Sequence, residues 1–141
     1  MSEENKKAGL LVRTVARILD FIIVAAIIET IPKVGFFAGL AYLLIADGFF
    51  DGRSLGKKLI GLKVVMADTR QSCSFRESIL RNSTFGIGFL FYKIPLIGLI
   101  VISLVVIFEF IILLGSRDNM RLGDEFAKTI VLDIQQQKQE A

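Results

Sequence analysis

The apolar part of this chain is written twice in the same direction, and that duplication limits its fold more than any other feature. Ile31-Pro32-Lys33-Val34-Gly35 opens an apolar stretch that carries one acid, Asp47, and closes at Leu55-Gly56-Lys57-Lys58 before Leu62-Lys63-Val64-Val65. Ile94-Pro95-Leu96-Ile97-Gly98 opens a second, which carries Glu109 and closes at Leu122-Gly123-Asp124-Glu125 before Ile130-Val131-Leu132. Upstream, Arg17 precedes the first proline by about the same distance as Arg81 precedes the second.

More than half of the 141 residues are apolar, 53% by count, and the mean hydropathy is +0.62. A soluble domain of this length could not cover that much apolar surface, so the expected class is an integral membrane protein. The chain has no histidine and a single cysteine, Cys73, which leaves no zinc set, CxxC pair or disulfide within one chain. No metal site and no cofactor is expected. In so apolar a chain, Lys and Arg mark cytoplasmic flanks rather than a nucleic-acid partner.

Along the chain, residues 1–9 form a polar lead. Residues 10–31 read as an uncleaved first span, entered through Arg13, Arg17 and Asp20 and stopped by Pro32, whose predecessor is pushed out of helical geometry. A second span is expected over 34–50, where Gly35 and Gly39 stand four apart and let helix backbones approach. Residues 51–74 are a water-soluble insert with a β-branched run, Leu62 to Met66, that suits a short strand. Ser74-Phe75-Arg76-Glu77 is a capping-box pattern opening a third span over 75–93. The fourth covers 95–115, followed by a C-terminal segment, 116–134, and a polar tail, 135–141, expected to be disordered. One bent span from Thr84 to Gly115 would be about 48 Å long, too much for a hydrocarbon core of about 30 Å.

Charge placement gives the orientation. The lead with the first-helix entrance, the insert with the third-helix entrance, and the C-terminal segment with the tail carry all the basic residues but two, since only Lys33 and Lys93 fall in the two opposite turns. By the positive-inside rule both termini are then cytoplasmic, in a multi-pass protein of the inner (cytoplasmic) cell membrane. The expected fold is all-α: four transmembrane helices as two parallel pseudo-repeats, each a helical hairpin, with a small cytoplasmic β element.

Any chemistry lies with the ionisable residues of the spans. Arg13, Arg17 and Asp20 share one helix face. Counted from the outer prolines, Arg17, Asp20, Asp47, Arg81 and Glu109 lie about 18 to 22 Å deep, a common layer in the cytoplasmic leaflet. Unpaired, five such charges could cost on the order of 15 kcal/mol, so pairing or water access is close to obligatory. Either the arginines and acids hold the helices in register, or the three carboxylates form a cation or proton site whose affinity the arginines tune. A third reading is recognition of anionic lipid headgroups by the basic cytoplasmic rim. Asp124 stands where the first copy has Lys57, next to Gly123 and Gly56 respectively, so opposite charges are expected to meet across a pseudo-two-fold axis.

The run Arg13 to Asp20, the run Ser54 to Val65, Arg81-Asn82, and Arg121-Leu122-Gly123-Asp124 with Thr129-Ile130-Val131 together resemble the RDD family of small bacterial membrane proteins. The resemblance implies that the family's arginine corresponds to Arg13, with Arg17 a second candidate, and its two aspartates to Asp20 and Asp124. The chain departs from the common pattern at Ala127-Lys128, where small residues usually precede the final threonine. Cation/proton antiport and scaffolding of membrane complexes are the roles that the resemblance brings with it.

The expectation is therefore a non-enzymatic protein: without histidine only acid pairs remain, and the substrate cleft they would need is missing. It is a monovalent cation/proton carrier for Na⁺, Li⁺ or K⁺, or else a scaffold or accessory subunit. Its expected partners are the bilayer, anionic headgroups, and further copies of itself or a larger membrane complex.

Overall fold

Proline places the first boundary. In the computed structural model, which describes residues 7–91, 94–116 and 120–135, helix α1 (Leu10–Thr30) ends where Ile31 turns extended before Pro32. Lys33 then takes a left-handed φ of 68°, Val34 N–H donates to the Pro32 carbonyl at 2.8 Å, and helix α2 (Gly35–Ile45) begins. The chain repeats this turn before the last long helix: Leu96 has φ 62°, and Ile97 N–H donates to the Pro95 carbonyl at 2.7 Å. Non-glycine residues rarely adopt this conformation, so its use at both prolines is specific.

Between these turns lie helix α3 (Leu55–Ile60), strand β1 (Leu62–Met66) and helix α4 (Phe75–Leu90). Helix α5 (Ile97–Gly115), helix α6 (Leu122–Phe126) and strand β2 (Thr129–Asp133) follow. The capping box forms at Ser74 and Glu77 and satisfies the free amides that open α4.

The structure departs from the expected helix lengths in one instructive place. The sequence reading carries the second helix to residue 50, but the α-helix stops at Ile45 and continues as a 3₁₀ turn, Ala46–Gly48. That tightening seats Asp47, whose N–H donates to Ser78 Oγ at 3.1 Å, against α4. Among the described residues α5 is the one helix long and apolar enough to cross a bilayer, while α2 with its 3₁₀ turn is a shorter apolar helix. α1 spans about 31 Å but carries Arg13, Arg17 and Asp20 in its first three turns. The expected disordered tail lies outside the described residues beyond Gln135, as do Lys93 and Arg117 of the charge argument.

The strands pair antiparallel. Leu62 faces Asp133, Met66 faces Thr129, and Val64 faces Val131 at the centre, so each strand's first residue meets the other's last. The flanks match as well. Lys7 bridges Leu132 on one edge and Ser72 bridges Val65 on the other. Ala8 N–H donates to the Val131 carbonyl at 2.8 Å and Cys73 N–H to the Val64 carbonyl at 3.0 Å. Each flanking segment leads directly into a long helix, α1 or α4.

α1 packs against α2 and α3, α2 also against α4, and α4 against α5 and α6. Gly35 and Gly39 lie on α1 where any side chain would press on the residues from Val24 to Ile28. Ala16, Leu62, Val64, Cys73 and Val131 form the core between sheet and helices, and Val24, Leu43 and Phe85 the core between helices. α5 turns Leu99, Ile100, Leu104, Ile107, Phe108, Ile111 and Leu114 outward. A continuous apolar face of that size suits lipid or a partner rather than water.

Candidate functional site

The site lies where the helical ends meet the small sheet, and its first centre is Asp20. Its Oδ1 accepts from Gly56 N–H at 2.9 Å and from the Tyr42 hydroxyl at 3.2 Å, and its Oδ2 accepts from Ser54 Oγ at 2.7 Å. Asp20 thus ties α1, α2 and the start of α3 together. Its cation is Lys57, with Nζ 3.9 Å away, and not the arginines of its own helix.

Asp47 is the second centre. Lys57 Nζ lies 2.5 Å from Oδ1, and Asn82 Nδ2 donates to Oδ2 at 3.2 Å. Lys57 itself is lowered to about 8, chiefly by burial, which Asp47 only partly offsets. Arg17 donates to Asn82 Oδ1 at 3.0 Å and lies 5.0 Å above the Phe85 ring. No carboxylate lies within salt-bridge distance of Arg17 among the described residues.

Asp124 is the third. Arg81 donates to its Oδ1 at 2.6 Å, Arg121 lies 3.3 Å from the same oxygen, and Arg13 bonds Oδ2. Burial alone would push the Asp124 carboxyl up, but Arg81, Arg121 and Arg13 outweigh it and hold it well below the usual range. Arg81 is fully buried and joins the second and third centres, because its Nε also lies 3.5 Å from Asp47 Oδ2. Glycine permits the close approach: a Cβ on Gly56 would collide with the Ala16 carbonyl, and one on Gly123 with the Arg81 carbonyl.

Glu109 stands apart. Thr84 Oγ1 donates to its Oε1 at 2.5 Å, while the buried Oε2 has no hydrogen-bond partner. It lines a cavity of about 150 Å³ together with Arg13, Arg17, Lys57, Arg81 and Arg121. Among the described residues, five cations and four carboxylates (Asp20, Asp47, Asp124 and Glu109) make up the region.

Two sequence expectations change here. Lys57 and Asp124 do not pair with each other: Lys57 turns to Asp47 and Asp124 to three arginines, because Arg81 sits between the two acids and serves both. Gly56 packs on the Ala16 carbonyl and Gly123 on the Arg81 carbonyl, while Arg17 meets Asn82. Glu109 shares the cavity but makes no ion pair with the network among the described residues.

The residues that sequence reasoning gave no role are Tyr42, Ser54, Ser78, Asn82, Thr84 and Arg121. A detectable signal existed for Asn82 and Thr84, polar residues inside an otherwise apolar helix, which must find partners wherever water is absent. Ser54 was detectable only as a helix-cap residue type.

The RDD family model matches residues 33–128. The matched span takes in Asp47, Gly56, Lys57, Arg81, Glu109, Gly123 and Asp124, and begins after α1 with its Arg13, Arg17 and Asp20. No curated protein and no solved structure matches the chain.

Proposed function

This chain belongs to the RDD family, a membrane-associated family, and from that premise we propose that it is a non-catalytic membrane scaffold or accessory subunit whose buried charges lock a small cytoplasmic lobe onto four spans. One observation carries this reading: both oxygens of Asp20, Asp47 and Asp124 already face protein donors or cations. A cation carrier needs carboxylates it can surrender to an ion, and these have none to spare. Two parallel pseudo-repeats are supported by the self-matching strand register, the twin proline turns and the equivalent glycines Gly56 and Gly123. The lobe end carries Lys7, Arg53, Lys58, Lys63, Arg70, Arg76 and Lys128, and the opposite turn Lys33, which supports cytoplasmic termini.

The surface offered to a partner is apolar and lies on the two short helices. Leu59 on α3 and Phe126 on α6 occupy the same place in each helix and are both largely exposed. α5 supplies a further face for lipid, a second copy or a larger complex.

Glu109 Oε2, buried without a partner, is the observation that favours the carrier reading. Protein in liposomes under a pH gradient separates the two. The scaffold predicts no proton flux on adding Na⁺, Li⁺ or K⁺, and a co-purifying membrane protein that is lost on Leu59→Glu with Phe126→Glu. Cation-driven flux that Glu109→Gln abolishes in a folded protein would overturn it.

A further inference from the structure

The two halves of the bundle do not pack alike, and the difference has a definite shape. α2 packs on both α1 and α4, whereas α5 packs on α4 and α6 and makes no extended contact with α1. A cleft runs between α1 and α5 with α4 as its floor. At the lobe end it is the cavity with the five cations. Farther along, a second cavity of about 150 Å³ shares Phe21, Phe85 and Val106 with the first and is otherwise lined by Leu43, Gly88, Phe89, Ile102 and Val105. The two together extend along α5 from Leu113 to Ile102, about 16 Å of helix, charged at one end and wholly apolar at the other.

The charge at the polar end calls for an anion. Arg13, Lys57, Arg81 and Arg121 are each paired with an aspartate, but among the described residues Arg17 has no carboxylate within salt-bridge distance and rests on Asn82 and the Phe85 face. Arg121, 3.3 Å from an Asp124 oxygen that it shares with Arg81, faces the same ring from 5.3 Å. Among the described residues five cations and a single acid, Glu109, line this cavity, and positive charge facing a weakly polar cleft favours an anion.

We infer that the cleft seats one anionic phospholipid, its phosphate on Arg17 and Arg121 and one acyl chain between α1 and α5 over Phe21, Phe85 and Val106. The apolar end selects a lipid over free phosphate, and the cationic end selects an anionic over a zwitterionic headgroup. The inference rests on the membrane reading and is independent of the scaffold role.

The chain has no tryptophan, so Phe110→Trp, on the cavity wall, supplies a single fluorophore. Delipidated protein in neutral detergent is titrated with phosphatidylglycerol or phosphatidylcholine carrying brominated acyl chains, which quench on contact. Phosphatidylglycerol is expected to quench at roughly ten-fold lower concentration than phosphatidylcholine. Arg17→Gln weakens the anionic lipid about five-fold and leaves the zwitterionic one unchanged, while Arg17→Lys retains the preference. Ile102→Phe, which narrows the apolar end, reduces quenching by both lipids and decides the matter if Arg17→Gln does not fold. Equal quenching by the two lipids, full competition by inorganic phosphate, or a cross-linked dimer that blocks quenching would each overturn the inference. None of these outcomes bears on the ion-pair lock, which is read from thermal stability.

Discussion

Arg17 and Asn82 lie at the same depth, two turns into α1 and α4 respectively, and hydrogen-bond to each other at 3.0 Å. Val64 and Val131, each at the middle of its strand, face one another in the sheet. Both contacts join residues at matching positions within their own helices or strands, and Asn82 carries the Arg17 contact on to Asp47, with Nδ2 at 3.2 Å.

Asn82→Ala removes an acceptor from Arg17 and a donor from Asp47 at once, leaving two buried charged groups less satisfied. A loss of about 2 to 4 kcal/mol is expected, and the fall in thermal midpoint in detergent measures it. An unchanged midpoint would mean that water or lipid already serves Arg17.

Arg81 and Asp124 should behave as a coupled pair. Asp124→Asn leaves three arginines around a neutral amide and is expected to cost about 3 to 5 kcal/mol. Arg81→Met with Asp124→Leu should cost clearly less than the sum of the single changes, because neither partner remains as an uncompensated charge. Additive losses would count against a direct pair.

Gly56→Ala and Gly123→Ala each drive a methyl group into a carbonyl oxygen of a neighbouring helix. Each should lower stability by about 1 to 3 kcal/mol through displacement of α3 or α6. The outward-facing Glu125→Ala serves as the control and should change little.

Acid should loosen the lobe through Asp124. Its carboxyl is held below the ordinary 3.8 in the folded state, so the unfolded chain binds its proton first as pH falls. The stabilisation from Asp124 is therefore complete above that ordinary value and is lost as pH drops through it toward the depressed folded value. Melting followed from neutral pH to about pH 3 should show a steeper decline in wild type than in Asp124→Asn.

Orientation is best tested with an introduced thiol. Cys73 is buried, donates to the Ser74 carbonyl at 3.4 Å, and is pushed up to about 11 by burial, so it should resist maleimide even in lysed cells. Asp68→Cys in a Cys73→Ser background puts a thiol in the exposed turn after β1. Membrane-impermeant maleimide is expected to label it only after lysis, and equal labelling of intact cells would reverse the topology.

Much of the fold was legible because its signals are local. Pro32 and Pro95 disrupt helix geometry by their own covalent structure, the Ser74-Glu77 capping box satisfies amides within one turn, and the β-branched run from Leu62 to Met66 suits a strand. Asp20, Asp47, Arg81 and Glu109 were also identifiable, since ionisable groups in apolar helices are rare and must be satisfied. Their partners were not, because Arg81 could reach any acid at a similar depth and sequence spacing cannot choose among them.

The sequence by itself determined the family, the mostly helical architecture, the helix-ending turns and the charges set within apolar helices, all through hydropathy and backbone chemistry over a few residues. Only the tertiary structure decided that Lys57 takes Asp47, that Arg81 serves Asp47 and Asp124 together, and that Arg17 meets Asn82. Those choices depend on the antiparallel register of β1 with β2 and on glycine contacts at Gly56 and Gly123, which set the helix positions to within a side chain's reach. The α1/α5 cleft arises in the same way, because α5 packs on α4 and α6 and not along α1, a choice no local stretch of residues encodes.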